Sequence, residues 1–138
     1  MVRRTGLGFT LIELMIVIAT IAVLAAIMIP NYVRARGLGH LSACCSNLRS
    51  IGTALEIYAL DNRGRYPKDS LEVLTKARSP YINSIPVCPA VEGATYHYQS
   101  ATNPDNYTIY CSGANHTNAA LGPNLPAFDS VSGLMRSY

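Results

Sequence analysis

The run from Phe9 to Ile29 is apolar at all but a few positions, and it decides how much of the chain is left to fold in water. Its twenty-one residues, at about 1.5 Å rise each, form a helix of about 31 Å, which matches a bilayer hydrocarbon core of about 30 Å. The segment can therefore span a membrane. Of the 138 residues, roughly 110 remain for a water-facing part, enough for one small core. Arg3 and Arg4 precede the run, so the positive-inside rule keeps the N-terminus cytoplasmic and sends the bulk of the chain outward. A cleaved secretory signal is the alternative, with "AVLAA" as its small-residue cleavage site. Its apolar core would be longer than usual and would carry a carboxylate.

That carboxylate is Glu13. An acidic side chain inside a membrane helix costs roughly 2.5 to 3.5 kcal/mol and is ordinarily matched by a partner. No Lys or Arg lies within the run, and Arg3 and Arg4 are more than two helical turns away. A cut between Gly8 and Phe9 would create a cation, the α-amino group of Phe9, four residues from Glu13. That spacing allows contact within one helix. The same amine could equally meet Glu13 of a neighbouring copy.

The stretch "GFTLIELMIVIATIAVLAAIMIP", Gly8 to Pro30, closely resembles the class III signal of type IV pilins and type II secretion pseudopilins. The resemblance implies cleavage by a prepilin peptidase after Gly8, N-methylation of the new terminus at Phe9, and a role for Glu13 in docking subunits during assembly. It also implies a filament whose core is made of these apolar helices. In type IV pilins the proline corresponding to Pro30 lies in a segment that can lose helicity inside the filament. A simple kink at the membrane exit is the other reading of Pro30, which removes a backbone hydrogen bond.

Beyond Pro30, Leu41, Cys44, Leu48, Ile51, Leu55 and Tyr58 recur at three- and four-residue spacing, while Arg49, Thr53 and Glu56 fall elsewhere. This predicts that the helix continues to about Leu60, weakened at Pro30, Gly37 and Gly39, where kinking or melting is expected. "DNRGRYP", Asp61 to Pro67, ends it, and the longer stretch "YALDNRGRYP" resembles the helix-exit loop of major pseudopilins and related short pilin-like proteins. "DSLEVLTKA" predicts a short second helix, with Asp69 as N-cap and Glu72 at the third position of a capping box. "TYHYQ" and "NYTIYCS" alternate as strands around the turn "SATNPD" and predict an antiparallel hairpin. The tail is expected to be mostly loop, with at most one short strand near Phe128 to Val131. The predicted fold class is α+β: a long N-terminal helix packed on a small antiparallel sheet, as in pilins. The expected organisation is a leader at 1–8, a membrane and filament-core helix at 9–29, its amphipathic continuation at 30–60, and a small head at 61–138.

Four cysteines behind a membrane-targeting segment suggest an oxidising compartment. Cys44 falls on the apolar stripe and Cys45 one step off it, which argues against a bond between them. A Cys88 to Cys111 bridge would close a loop of about two dozen residues, nominally worth about 3 kcal/mol. A bridge from Cys44 to Cys88 or Cys111 is the rival, and a buried free Cys44 a third reading. A zinc set of Cys88, His97, Cys111 and His116 can be drawn, but no C-x-x-C or H-x-x-x-H spacing supports it, and no metal or cofactor is expected. Glu92, Asp105 and Asp129 are too sparse for the calcium loop that secretion pseudopilins often carry. The nine tyrosines are expected to fill strand faces and the interface between helix and sheet.

No nucleotide-binding glycine motif or catalytic triad spacing is present, and no enzyme is expected. The charged fraction of 14% and the absence of a basic run give no nucleic-acid surface. The function expected is a structural subunit of a type IV pilin-like filament. Its alternatives are the major pseudopilin of a type II secretion system and a membrane-anchored binding module, although a plain tether has no use for Glu13. The expected partners are copies of the chain itself, a prepilin peptidase, an inner-membrane assembly platform and the membrane. The precursor would sit in the inner membrane and the filament outside the cell or in the periplasm.

Overall fold

A computed structural model describes residues 8–91, 93, 95–102 and 105–136. The chain divides into two compact units, one ending at Arg34 and the other beginning at Ala35. Helix α1, Leu11–Asp61, contributes to both.

In the first unit α1 is apolar all round, and none of its most apolar window, of mean hydropathy 2.8, is buried. It is long and apolar enough to cross a membrane. The helix runs through Pro30 without melting. Pro30 has no N–H to give the carbonyl one turn back, and next to it the Asn31 side chain donates to the Ile27 carbonyl at 3.1 Å.

In the second unit α1 buries Leu41, Cys44, Cys45, Leu48, Ile51, Ala54, Leu55 and Ala59, and leaves Arg49, Thr53 and Glu56 exposed. The apolar stripe is as predicted, except that Cys45 also goes inside and Tyr58 is only half-buried. Gly37 and Gly39 do not break the helix. At Gly37 the reason for glycine is steric, because a Cβ would lie 2.8 Å from Cβ of Asn118 and 3.2 Å from its backbone. Gly52 likewise leaves room for the Phe128 ring, 2.7 Å from where a Cβ would stand.

The helix ends at "DNRG" as expected. Arg63 and Gly64 both take positive φ, and the Gly64 N–H returns to the Ala59 carbonyl at 2.8 Å, the long bond of a Schellman-type cap. Helix α2 is only Val73–Lys76. Its predicted capping box is not formed: Ser70 Oγ, rather than Asp69, accepts from the Glu72 N–H at 3.0 Å, and Glu72 is engaged with Lys76. What α2 supplies is Leu74, fully buried in the core.

Strands β1 (Tyr96–Thr102) and β2 (Asp105–Cys111) form the predicted hairpin, in register from Tyr96 opposite Cys111 to Thr102 opposite Asp105. The strands run further into "SATNPD" than expected, and Asn103 and Pro104 lie outside the described residues. Two short strands follow where at most one was expected, β3 (Ala127–Asp129) and β4 (Gly133–Met135), and the sheet is an antiparallel meander in the order β1-β2-β3-β4. Asp129 makes the extra turn possible. Its Oδ1 accepts from the N–H groups of Val131 at 2.7 Å and Ser132 at 3.0 Å, which holds its carboxyl below the usual carboxylate range. The core lies where α1, α2, the segment before β1 and the inner sheet face meet.

Candidate functional sites

Two places in the chain carry chemistry beyond packing. The first is the start of α1. Thr10 is its N-cap: the Leu14 N–H donates to the Thr10 carbonyl at 3.3 Å, and the Glu13 N–H to Thr10 Oγ1 at 3.3 Å. Glu13 returns the favour, accepting from the Thr10 N–H at 2.9 Å and the Thr10 hydroxyl at 2.8 Å. Thr10-x-x-Glu13 is a capping box, a signal present in the sequence but not recognised there. Glu13 therefore has a local partner in the single chain, and the carboxylate stands at the helix end where the dipole favours it. Gly8 and Phe9 precede the helix and are exposed.

The second is inside the head. Sγ of Cys44, Sγ of Cys88, Sγ of Cys111 and one ring nitrogen of His116 all lie within 4.8 Å of one another, and all four residues are buried. They come from four different places: the middle of α1, the loop before β1, the last residue of β2, and the turn before a 3-10 turn at Thr117–Ala119. His116 Nε2 lies 3.5 Å from Cys88 Sγ and 3.6 Å from Cys111 Sγ, while its Nδ1 has no hydrogen-bond partner among the described residues.

Two of the sulfurs also receive a hydrogen bond from a neighbouring donor: Tyr96 Oη donates to Cys44 at 3.4 Å and Asn115 Nδ2 to Cys111 at 3.6 Å. The bond from Cys44, followed by those from Cys88, Asn115 and His116, favours the thiolate at Cys111 and pulls it well below the ordinary thiol range. Cys44, as the donor in that bond and buried, is pushed up.

Three of the four residues in the drawn zinc set thus meet, with Cys44 in the place given to His97. His97 is exposed on β1 and stacks on Tyr110 at 5.4 Å, because alternation along the strand turns it away from the core side on which Tyr96 lies. All four cysteines are free thiols, including the disulfide candidates Cys88, Cys111 and Cys44. Cys45 is buried but is not one of the four converging residues. Of the three acidic residues weighed for calcium, Asp105 lies in β2, Asp129 is committed to its turn, and Glu92 lies outside the described residues.

A helix long and apolar enough to cross a membrane, and a second half of the same helix packed with a four-stranded antiparallel sheet, define the pilin-like α+β class. A family model, the prokaryotic N-terminal methylation motif, matches residues 3–29. The type II secretion system core protein G of Pseudomonas aeruginosa is 30% identical over 127 residues, covering 83% of this chain and 87% of that protein. The core protein G of Klebsiella michiganensis is 31% identical over 124 residues, covering 80% and 85%. The type IV wide pilus major component PilA4 of Thermus thermophilus is 46% identical over 59 residues, covering 43% of this chain and 45% of that one. No solved structure matches significantly. The chain belongs to the type IV pilin and type II secretion pseudopilin family, whose members are structural subunits of multi-subunit filaments.

Proposed function

We propose that this chain is a structural subunit of a type IV pilin-like filament, inserted in the inner membrane as a precursor and trimmed by a prepilin peptidase between Gly8 and Phe9. Phe9 is then methylated, and the subunit is drawn from the bilayer into a helical polymer by an inner-membrane assembly platform. The observation that supports this most directly is the wholly uncovered apolar window of α1, which begins just after the exposed Gly8-Phe9 pair. Lipid covers such a helix in the precursor, and neighbouring copies of the same helix cover it in a filament. A head-to-tail contact that does not close generates such a filament.

In the filament, Glu13 sets axial register by finding the amine of Phe9 on the adjacent subunit. Pro30 supplies a place where the helix can bend as copies pack. Mass spectrometry of the mature protein should show an N-terminal methylated Phe9. An intact Met1, or cleavage near Ala26, would sink the assignment.

Within the family, a secretion pseudopilin is the second reading. It is favoured by the core protein G relatives, which match most of the chain, whereas the Thermus pilus component matches less than half of it. The filament would then stay within the envelope, while the pilus reading calls for fibres at the cell surface.

A further inference from the structure

We infer that Cys44, Cys88, Cys111 and His116 bind one structural zinc ion that ties the head to α1. This goes beyond the filament reading and does not depend on it. Zinc bonds of about 2.3 Å to sulfur and about 2.0 to 2.1 Å to imidazole nitrogen, at the tetrahedral angle, place nitrogen and sulfur about 3.6 Å apart. The two separations from His116 Nε2, to Cys88 Sγ and Cys111 Sγ, are 3.5 and 3.6 Å. Three sulfurs and one nitrogen converge from four directions with no protein atom needed in addition. A set of four protein ligands, all buried, leaves no open position for substrate, which is the mark of a structural rather than a catalytic site.

The surroundings also suit a metal. Binding zinc releases up to three thiol protons to solvent, so a site of three thiolates, one neutral imidazole and Zn²⁺ carries a net single negative charge. The hydrogen bonds from Tyr96 to Cys44 and from Asn115 to Cys111 point at that charge. A disulfide accounts for the cluster less well. It would consume two of the three thiols and leave the third beside a histidine that is only 2% exposed. Soft thiolates together with imidazole favour zinc over calcium or magnesium.

The test uses the full chain, purified in detergent without chelator from cells grown with zinc. Elemental analysis should give one zinc per chain. Replacing zinc with cobalt should give the thiolate-to-cobalt absorption and visible bands of a tetrahedral site. A strong chelator added to the native chain should release the metal and expose three further reactive thiols, so the result does not rest on variants that fail to fold. Cys45→Ser should keep the metal, and His116→Gln should lose it or bind cobalt with an altered spectrum. A metal-free chain with a disulfide among Cys44, Cys88 and Cys111 would overturn the inference. So would zinc content and a cobalt spectrum unchanged by His116→Gln.

Discussion

Glu13 has one use in the single chain and a second in the proposed filament. In the single chain its carboxylate closes a capping box on Thr10, an arrangement whose loss costs about 1 kcal/mol. In the proposed filament it meets the amine of Phe9. The two uses separate experimentally. Thr10→Ala should weaken the first helical turn but leave most filament assembly intact, whereas Glu13→Ala should insert in the membrane normally and assemble poorly. Equal filament yields from the two variants would reduce Glu13 to a cap. Capping also qualifies the argument against a plain tether, since any helix beginning at Leu11 gains from a carboxylate at that position. At Gly37 a single residue likewise answers to something far along the chain, because only the folded head brings Asn118 against it.

Among the elements, α1 and β2 are joined most firmly through Tyr107. Its ring is buried, sits 4.7 Å from the Tyr66 ring in an edge-on arrangement, and stacks toward Phe128. Its hydroxyl donates to Glu56 Oε1 at 3.0 Å and reaches the Gly52 carbonyl at 3.4 Å, while Tyr66 donates to the same Glu56 at 3.1 Å. One exposed carboxylate on α1 thus holds both the sheet and the loop after the helix. Tyr107→Phe keeps the ring and removes these bonds, and it should cost about 1 to 2 kcal/mol, read as a lower Tm of the head. An unchanged Tm would mean that the ring alone supplies the contact. The hairpin was legible in alternating Tyr and Thr, as was the amphipathic half of α1 in its spacing. A short strand near Phe128 was allowed for, but its return as β4 was not, because the turn between them is held by Asp129 bonding to backbone N–H groups rather than marked by an alternating pattern.

At the scale of the whole molecule, the tyrosines make the head sensitive to alkali. Burial first, and then neighbouring carboxylates, push Tyr66 up to about 12, and burial pushes Tyr98 up to about 12. Tyr96 and Tyr107 are raised for the same leading reason. In the unfolded chain these phenols ionise near pH 10. The stability they represent is therefore complete below about pH 10 and is lost as the pH climbs through about 12. Tyrosinate absorbance and circular dichroism should change together in that window. Titration of every tyrosine near pH 10 with the fold intact would contradict the burial argument. By itself the sequence determined the membrane-length helix, the carboxylate in it and the stripe that continues it. Each of these is a matter of near neighbours, set by a rise of about 1.5 Å per residue and by helical or strand periodicity. Only the tertiary structure decided that Cys44, rather than His97, joins Cys88, Cys111 and His116. That choice depends on which face of β1 turns inward and on where α1 crosses it, and residues far apart in the chain converge without leaving any fixed spacing to read.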